Sequence, residues 1–332
     1  MRVEQRRGGV TETVHRVHVA VMDGDGRLVA RAGDPDFVTF WRSAAKPFQA
    51  MPLLTDGVVD RFGLTSAELA LCCASHSSEP SQVELVQAFL DRIACTEQDL
   101  RCGPHIPLSD HVAKDYQARG VKLTPVYSNC SGKHTGMLAL ARHHGWPTED
   151  YHKLSHPVQQ RCLETVSQWT DVVVERIGTG VDGCGVACFA LPLRNMAIAY
   201  ARLGTGDGGG GRSGDPSPVP RPSSRIVEAM LRHPELIAGE RRPCTDMMRA
   251  HPGRVITKVG AEGVYSALLV ERRLGIALKV EDGHGPAAAL ALAAVLDQLG
   301  LRPQPGTLVE RPNFNTRGER VGELRVFGAL EQ

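Results

Sequence analysis

The sequence carries almost no net charge: 38 Lys and Arg face 37 Asp and Glu, leaving +1 over 332 residues. A protein that grips nucleic acid or an anionic membrane through its global field needs an excess of one sign, so neither partner is expected. Long apolar runs are missing too. The most apolar segment, PAAALALAAVLDQL at residues 286–299, is shorter than a bilayer requires and carries Asp297. It reads as a buried helix stopped by Gly300. The opening MRVEQRRGGVTETV has basic residues with no apolar run behind them, unlike a secretory signal. Nine cysteines are present but no C-x-x-C pair. An odd count without a signal argues for thiols or metal ligands over a disulfide framework. What remains is ordinary globular composition, 42% hydrophobic and 23% charged, with material for one large core or two domains. A cytoplasmic enzyme is the expectation.

Both ends of the chain read as strand. Residues 14–31 (VHRVHVAVMDGDGRLVAR) form two strands around an Asp-Gly turn. Residues 255–280 return to β patterns with a turn at 272–275, and a last short strand falls in 323–327. The middle is helical, as in 78–93 (SEPSQVELVQAFLDRI), where an early proline precedes Val83, Leu85, Val86, Phe89, Leu90 and Ile93. This predicts an α+β fold, an αβα sandwich whose sheet comes from both ends, about 10–40 and about 250–330. A helix-rich region over about 44–200 lies between them, and residues 1–332 make one catalytic unit.

One segment departs from this texture. Residues 204–224 (GTGDGGGGRSGDPSPVPRPSS) cannot pack a core and read as a flexible surface insertion. It holds a G-x-G-x-x-G at Gly204, Gly206 and Gly209, and a second match lies at Gly178, Gly180 and Gly183. A dinucleotide fingerprint opens a helix in a βαβ unit, with an acidic residue about 20 positions on. The first match runs into prolines and the second into cysteines, so nucleotide binding is not expected.

The chemistry starts at RSAAKPF, residues 42–48, where Ser43 and Lys46 stand three apart. One reading is a serine-capped helix with a surface lysine. The other is a nucleophile and its base. On a helix the two side chains share a face. Pro47 is tolerable only in the first turn, which puts Ser43 at a helix N-terminus, where unpaired N–H groups favour an oxyanion. A lysine, with an ordinary pKa of roughly 10.4, needs burial or a second cation to act as a base. The serine β-lactamases and penicillin-binding proteins pair S-x-x-K with S-D-N and K-T-G. Looser counterparts follow in the same order: Ser75-His76-Ser77 or Ser109-Asp110-His111, then Lys258-Val259-Gly260 on a strand. Together they point to acyl transfer. A metal site is left open by the residues alone. Cys130 and Cys184 are far apart, His134 and Cys188 sit at suggestive C-x-x-x-H and C-x-x-x-C spacings, and buried cysteines often serve as small hydrophobes.

Several stretches then carry a family resemblance: RSAAKPFQAMPLL (42–54), LCCASHSSEP (71–80), CGPHIPLSD (102–110), YSNCSGKHTGMLA (127–139), GVDGCGVACFALPL (180–193), HPELIAGE (233–240) and TKVGAEGVY (257–265). They resemble the Rhizobium-etli-type L-asparaginases, the asparaginase II-like proteins with a serine β-lactamase-like fold. These are unrelated to the threonine-nucleophile asparaginases. The resemblance runs from about residue 14 to 282 and skips the glycine-rich insertion. It implies two serine–lysine tandems, Ser43 with Lys46 and Ser75 with Lys258. It also implies zinc beside the active centre, held by Cys130, Lys133 and Cys184 and not required for the chemistry, and a homodimer. The reaction implied is hydrolysis of L-asparagine to L-aspartate and ammonia. Ser43 is the favoured nucleophile, with Ser75 the alternative. A free amino acid needs a cation for its carboxylate and an anion for its ammonium. Arg42 and Asp182 are the candidates, with His134 a further polar contact. Arg241 and Pro243 replace residues usual in the family, and the arginine often found behind Asp282-Gly283 is absent, which bears on loop shape and substrate grip. Two other readings are weighed: a glutaminase or β-lactamase-like hydrolase, and a non-enzymatic zinc or redox-sensing protein. Glutamine is hard to separate, because one methylene is worth only about 1–3 kcal/mol.

Overall fold

The computed structural model describes residues 1–205, 221–301 and 310–332. The chain divides into two compact units. Most of the glycine- and proline-rich stretch, including Gly206 and Gly209 of its motif, lies outside the described residues.

The first unit comprises Met1–Ala44, Leu191–Thr205 and Asp246–Gln332. Its eight-stranded sheet runs in the order Glu310–Phe314, Arg320–Phe327, Arg2–Arg7, Val10–Asp23, Leu274–Val280, Val264–Leu269, Val255–Val259, with Leu28–Ala32 also paired to Val10–Asp23. The sheet is therefore made from both ends of the chain, as the patterns predicted. The 14-residue strand Val10–Asp23 joins them, pairing antiparallel with Arg2–Arg7 on one side and Leu274–Val280 on the other. Every residue of Val264–Leu269 and Leu274–Val280 is buried. Successive side chains alternate faces, so both faces of these strands are covered. The helices Leu193–Thr205 and Gly285–Gln298 pack against them. GPAAALALAAVLDQ is apolar almost all round, which suits a helix enclosed by its neighbours. Two polar strands were missed by pattern, Arg2–Arg7 (RVEQRR) and Glu310–Phe314 (ERPNF). Both are too polar to show a strand's alternation; pairing with Arg320–Phe327 makes them strands.

The second unit comprises Ala45–Ala190 and Gly206–Thr245 and is mainly helical. At its centre the helix Lys46–Thr55 is buried at every residue from Lys46 to Leu53. It packs against Ser131–His144 and Pro157–Thr170. A Cβ on Gly132 would sit 2.5 Å from the Leu71 carbonyl oxygen, so glycine is what lets the two segments meet. The strand Gly178–Val181 turns back onto Ala187–Pro192 as an antiparallel hairpin. The second glycine motif therefore leads into a strand rather than a helix, and a dinucleotide has no helix N-terminus to sit on.

The helix start differs from the sequence reading. Arg42–Ala45 forms a 3₁₀ turn, and the α-helix begins at Lys46 with Pro47 in its first turn. The N-cap is Ala45, with no side-chain capping bond, so Ser43 does not cap this helix. Proline's missing N–H explains the shift: the chain tightens into 3₁₀ geometry first. Among the described residues, no helix is long and apolar enough to cross a membrane.

Candidate functional site

The second unit gathers the chemistry-bearing residues of four motifs. Lys46 is fully buried at the head of its helix, and its Nζ donates to Ser75 Oγ at 3.0 Å, to the Ala74 carbonyl, and to the Asn129 carbonyl at 3.5 Å. Ser75 opens the irregular stretch after Ser66–Cys72, and that stretch is clamped on two sides. The Ser75 N–H donates to the Ile237 carbonyl at 2.9 Å and the Ser77 hydroxyl to Ala238 at 2.7 Å. The His76 N–H donates to Asn129 at 3.2 Å and the Ser78 hydroxyl to Tyr127 at 2.6 Å. Gly239 has φ 116°, and a Cβ there would lie 2.7 Å from Ser77 Oγ, so the HPELIAGE stretch can be this wall only with glycine.

His76 uses both ring nitrogens. Nδ1 accepts from the Ser78 N–H at 3.1 Å, so the proton sits on Nε2, which donates to Ser131 Oγ at 2.8 Å. Burial first, and then the Lys46 charge, push its pKa down to about 3, so the ring is neutral. Ser109, the other candidate second element, closes on a local partner, His111 Nδ1, at 2.6 Å.

A sulfur cluster lies on the next helix. Cys130 is the N-cap of Ser131–His144, Lys133 is in its first turn, and Cys184 sits in the hairpin turn after Asp182. Lys133 Nζ donates to Cys184 Sγ at 3.1 Å, and the Cys130 thiol donates to the same sulfur. That hydrogen bond from Cys130, against burial and helped by the Lys133 ammonium, holds the Cys184 thiol well below the usual range. The same bond and burial push the Cys130 thiol up to about 12. Burial would lower Lys133, but Cys184, Cys130 and Asp182 outweigh it and its pKa is raised. Two sulfurs and an amine converging on one point fit zinc, which takes S and N ligands and keeps a fourth position open in catalytic sites. Among the described residues, no group of three or more His, Cys, Asp or Glu could hold a metal, so the lysine is needed to complete the set. Of the two residues that spacing alone suggested as ligands, His134 pairs with Tyr151 through Nδ1, and Cys188 lies in a strand opposite Gly180.

His134 is fully buried one residue after Lys133. Its Nδ1 meets the Tyr151 hydroxyl at 2.7 Å. Burial, then the Lys133 charge, hold the ring well below its ordinary pKa and therefore neutral. Asp182 folds its turn through its own carboxylate, which accepts from the Gly183 N–H at 2.8 Å. All nine cysteines are buried and none forms a disulfide.

Three predicted site residues belong to the first unit. Arg42 has φ 54°, a left-handed backbone rare for a side chain of this size and of the kind that concentrates at functional sites. Ser43 is half-buried in the 3₁₀ turn, three positions ahead of Lys46 along the chain. Lys258 is fully buried in Val255–Val259, its Nζ donating to the Val259 carbonyl at 2.8 Å. It faces Ser266 across the ladder, whose hydroxyl accepts from Trp41 Nε1 at 3.1 Å. Asn129 lies inside YSNCSGKHTGMLA but was not singled out, and Tyr151 and Gln82 stand outside the motifs and were missed; Gln82 accepts from the N–H groups of Ser77 and Glu79 through one oxygen, at 3.0 Å each.

Comparison with known proteins adds the following. The family model of L-asparaginase II matches residues 3–326. No curated protein matches the sequence. Among solved structures, a candidate β-lactamase from Bacteroides dorei DSM 17855 is 11% identical, with TM-score 0.46, covering 86% of this chain and 93% of that one. A β-lactamase from Mycobacterium bovis is 14% identical, with TM-score 0.39, covering 85% and 94%. A Bacillus glutaminase is 14% identical, with TM-score 0.39, covering 86% and 92%.

Proposed function

The chain belongs to the L-asparaginase II family and is an amidohydrolase, and on that premise we propose that it hydrolyses L-asparagine to L-aspartate and ammonia through a serine acyl-enzyme. The observation that supports this most is the buried hydrogen bond of 3.0 Å from Lys46 Nζ to Ser75 Oγ. A serine and a lysine in contact inside a protein are the parts of a nucleophile activated by a neutral amine. Ser43 is assigned the attack on the side-chain amide carbon, with Lys46 taking its proton. The oxyanion is met by backbone N–H groups of the turn that carries Ser43. Ser75, tuned by Lys258, passes a proton to the amide nitrogen as the C–N bond breaks, and ammonia leaves. A water then attacks the β-aspartyl ester, returning the hydroxyl to the serine and releasing aspartate. Arg42 takes the substrate's α-carboxylate, Asp182 its α-ammonium, and His134 a further polar group. Cys130, Lys133 and Cys184 would hold zinc, which supplies positive charge and ties the Ser131–His144 helix to the hairpin turn.

A second reading exchanges the two serines. The contact between Lys46 and Ser75 favours it, because it gives Ser75 a base within hydrogen-bond reach.

Ammonia release from L-asparagine, L-glutamine and D-asparagine by wild type, Ser43→Ala and Ser75→Ala tests the proposal, with intact mass after acid quench. Selective loss of L-asparagine turnover and a β-aspartyl adduct on one serine support it and identify the nucleophile. Release from L-glutamine at the same rate removes the substrate assignment. Full activity in both variants removes the serine mechanism.

A further inference from the structure

The hydrogen-bond chain behind His134 decides which of its nitrogens carries the proton. Tyr151 is fully buried, and its hydroxyl accepts from the Arg101 backbone N–H at 2.9 Å. A phenol has a single hydrogen, and among the described residues the other atom hydrogen-bonded to this one is His134 Nδ1 at 2.7 Å. If Nδ1 were the donor, the phenolic hydrogen would be left buried without an acceptor, at a cost of about 1–3 kcal/mol. Giving that hydrogen to Nδ1 partners both groups. The neutral ring then carries its own proton on Nε2. That nitrogen is buried and has no hydrogen-bond partner among the described residues. A buried donor without an acceptor is rare enough in folded proteins to call for a reason.

We propose that Tyr151 is a positioning residue: it locks His134 as the Nε2–H tautomer so that this ring donates to an oxygen of the bound amino acid. The identity of that ligand rests on the asparaginase reading, whereas the tautomer does not. A ring held this way can only donate at Nε2. It therefore accepts a carboxylate or carbonyl oxygen there and rejects an ammonium, which makes Tyr151 a specificity element that never touches substrate.

Long-range ¹H–¹⁵N correlation of His134 in the free wild-type protein reads the tautomer directly, and L-aspartate is then added as the probe. An Nε2–H pattern, with the Nε2 resonance moving on saturation, is expected. An Nδ1–H pattern, or an Nε2 resonance that stays fixed while L-aspartate binds, overturns the proposal. Substitution supplies a second readout. A glutamine amide reaches the Nε2 position of histidine, whereas an asparagine amide reaches only Nδ1. His134→Asn should raise KM for L-asparagine roughly tenfold, the loss of one charge-assisted hydrogen bond, and His134→Gln should raise it far less. Tyr151→Phe should also raise KM with little change in kcat and add the second tautomer to the spectrum. The reverse order, with asparagine the better replacement, would mean that the Tyr151-facing nitrogen is what matters, and the role would be structural. Should wild type release no ammonia from L-asparagine, the functional reading fails, and the free-protein spectrum still decides the role of Tyr151.

Discussion

Lys46 and Lys133 are the same residue type in the first turn of two helices of one unit, both buried, yet their surroundings are opposite. Lys46 faces oxygen: the carbonyls of Ala74 and Asn129 and the hydroxyl of Ser75. Lys133 faces sulfur, the Cys184 thiol whose pKa is held well below the usual range. An ammonium beside a thiolate is half of an ion pair, and its proton is costly to remove until a metal cation takes its place. The neighbours, rather than the residue type or the helix position, distinguish the two lysines.

Lys46→Met should break this contrast most severely, lowering kcat for L-asparagine by about 10²–10⁴ while zinc content, read by elemental analysis, stays unchanged. Turnover close to wild type would remove Lys46 as the base. His76, which shares the Lys46 environment, gives the next effect. Its native pKa of about 3 lies below the 6.5 of the unfolded chain. Below pH 6.5 the unfolded chain takes up a proton that the folded one refuses, so this group's stabilisation is complete above that pH and drains away as the pH falls toward 3. Urea melts should show wild type losing about 3 kcal/mol from this source between pH 6.5 and about pH 4, and His76→Asn losing correspondingly less. Equal slopes for the two proteins would show the ring to be accessible to protons. Gly239→Ala should cost about 2 kcal/mol, by differential scanning calorimetry, through its positive φ and the crowding of Ser77. An unchanged melting temperature would show that the 236–240 wall can give way. The smallest effect on turnover is expected from Lys133→Met. It should lower zinc affinity by at least roughly tenfold in equilibrium dialysis and leave kcat within a few-fold. A loss matching that of Lys46→Met would erase the distinction between the two lysines.

Much of the site was legible because its pieces are contiguous. RSAAKPF, LCCASHSSEP and SNCSGKH each hold their candidate residues within a few positions, so Cys130 and Lys133 fall at the N-cap and in the first turn of one helix. The α+β pattern was legible for the same reason: the strands of 255–280 and the helix at 285–298 carry their periodicity locally. Arg2–Arg7 and Glu310–Phe314 were not legible, since a polar strand is defined by its partner's hydrogen bonds and not by its own side chains. The helix start was misplaced by three residues because a 3₁₀ turn and an α-turn share the same i, i+3 spacing. Tyr151 stood outside every motif, seventeen residues from the histidine it serves.

By itself the sequence determined the inventory: the elements, the serine–lysine and cysteine–lysine spacings, and membership of an amidohydrolase family. Only the tertiary structure decided the surroundings of each group: that Lys46 meets neutral oxygens, that the Cys184 thiol is held down while the Cys130 thiol is pushed up, and that His134 carries its proton on Nε2. The reason is range. Spacing constrains residues a few positions apart, whereas protonation and tautomer are set by whatever atoms lie within about 4–6 Å, and here those atoms come from segments far apart in the chain.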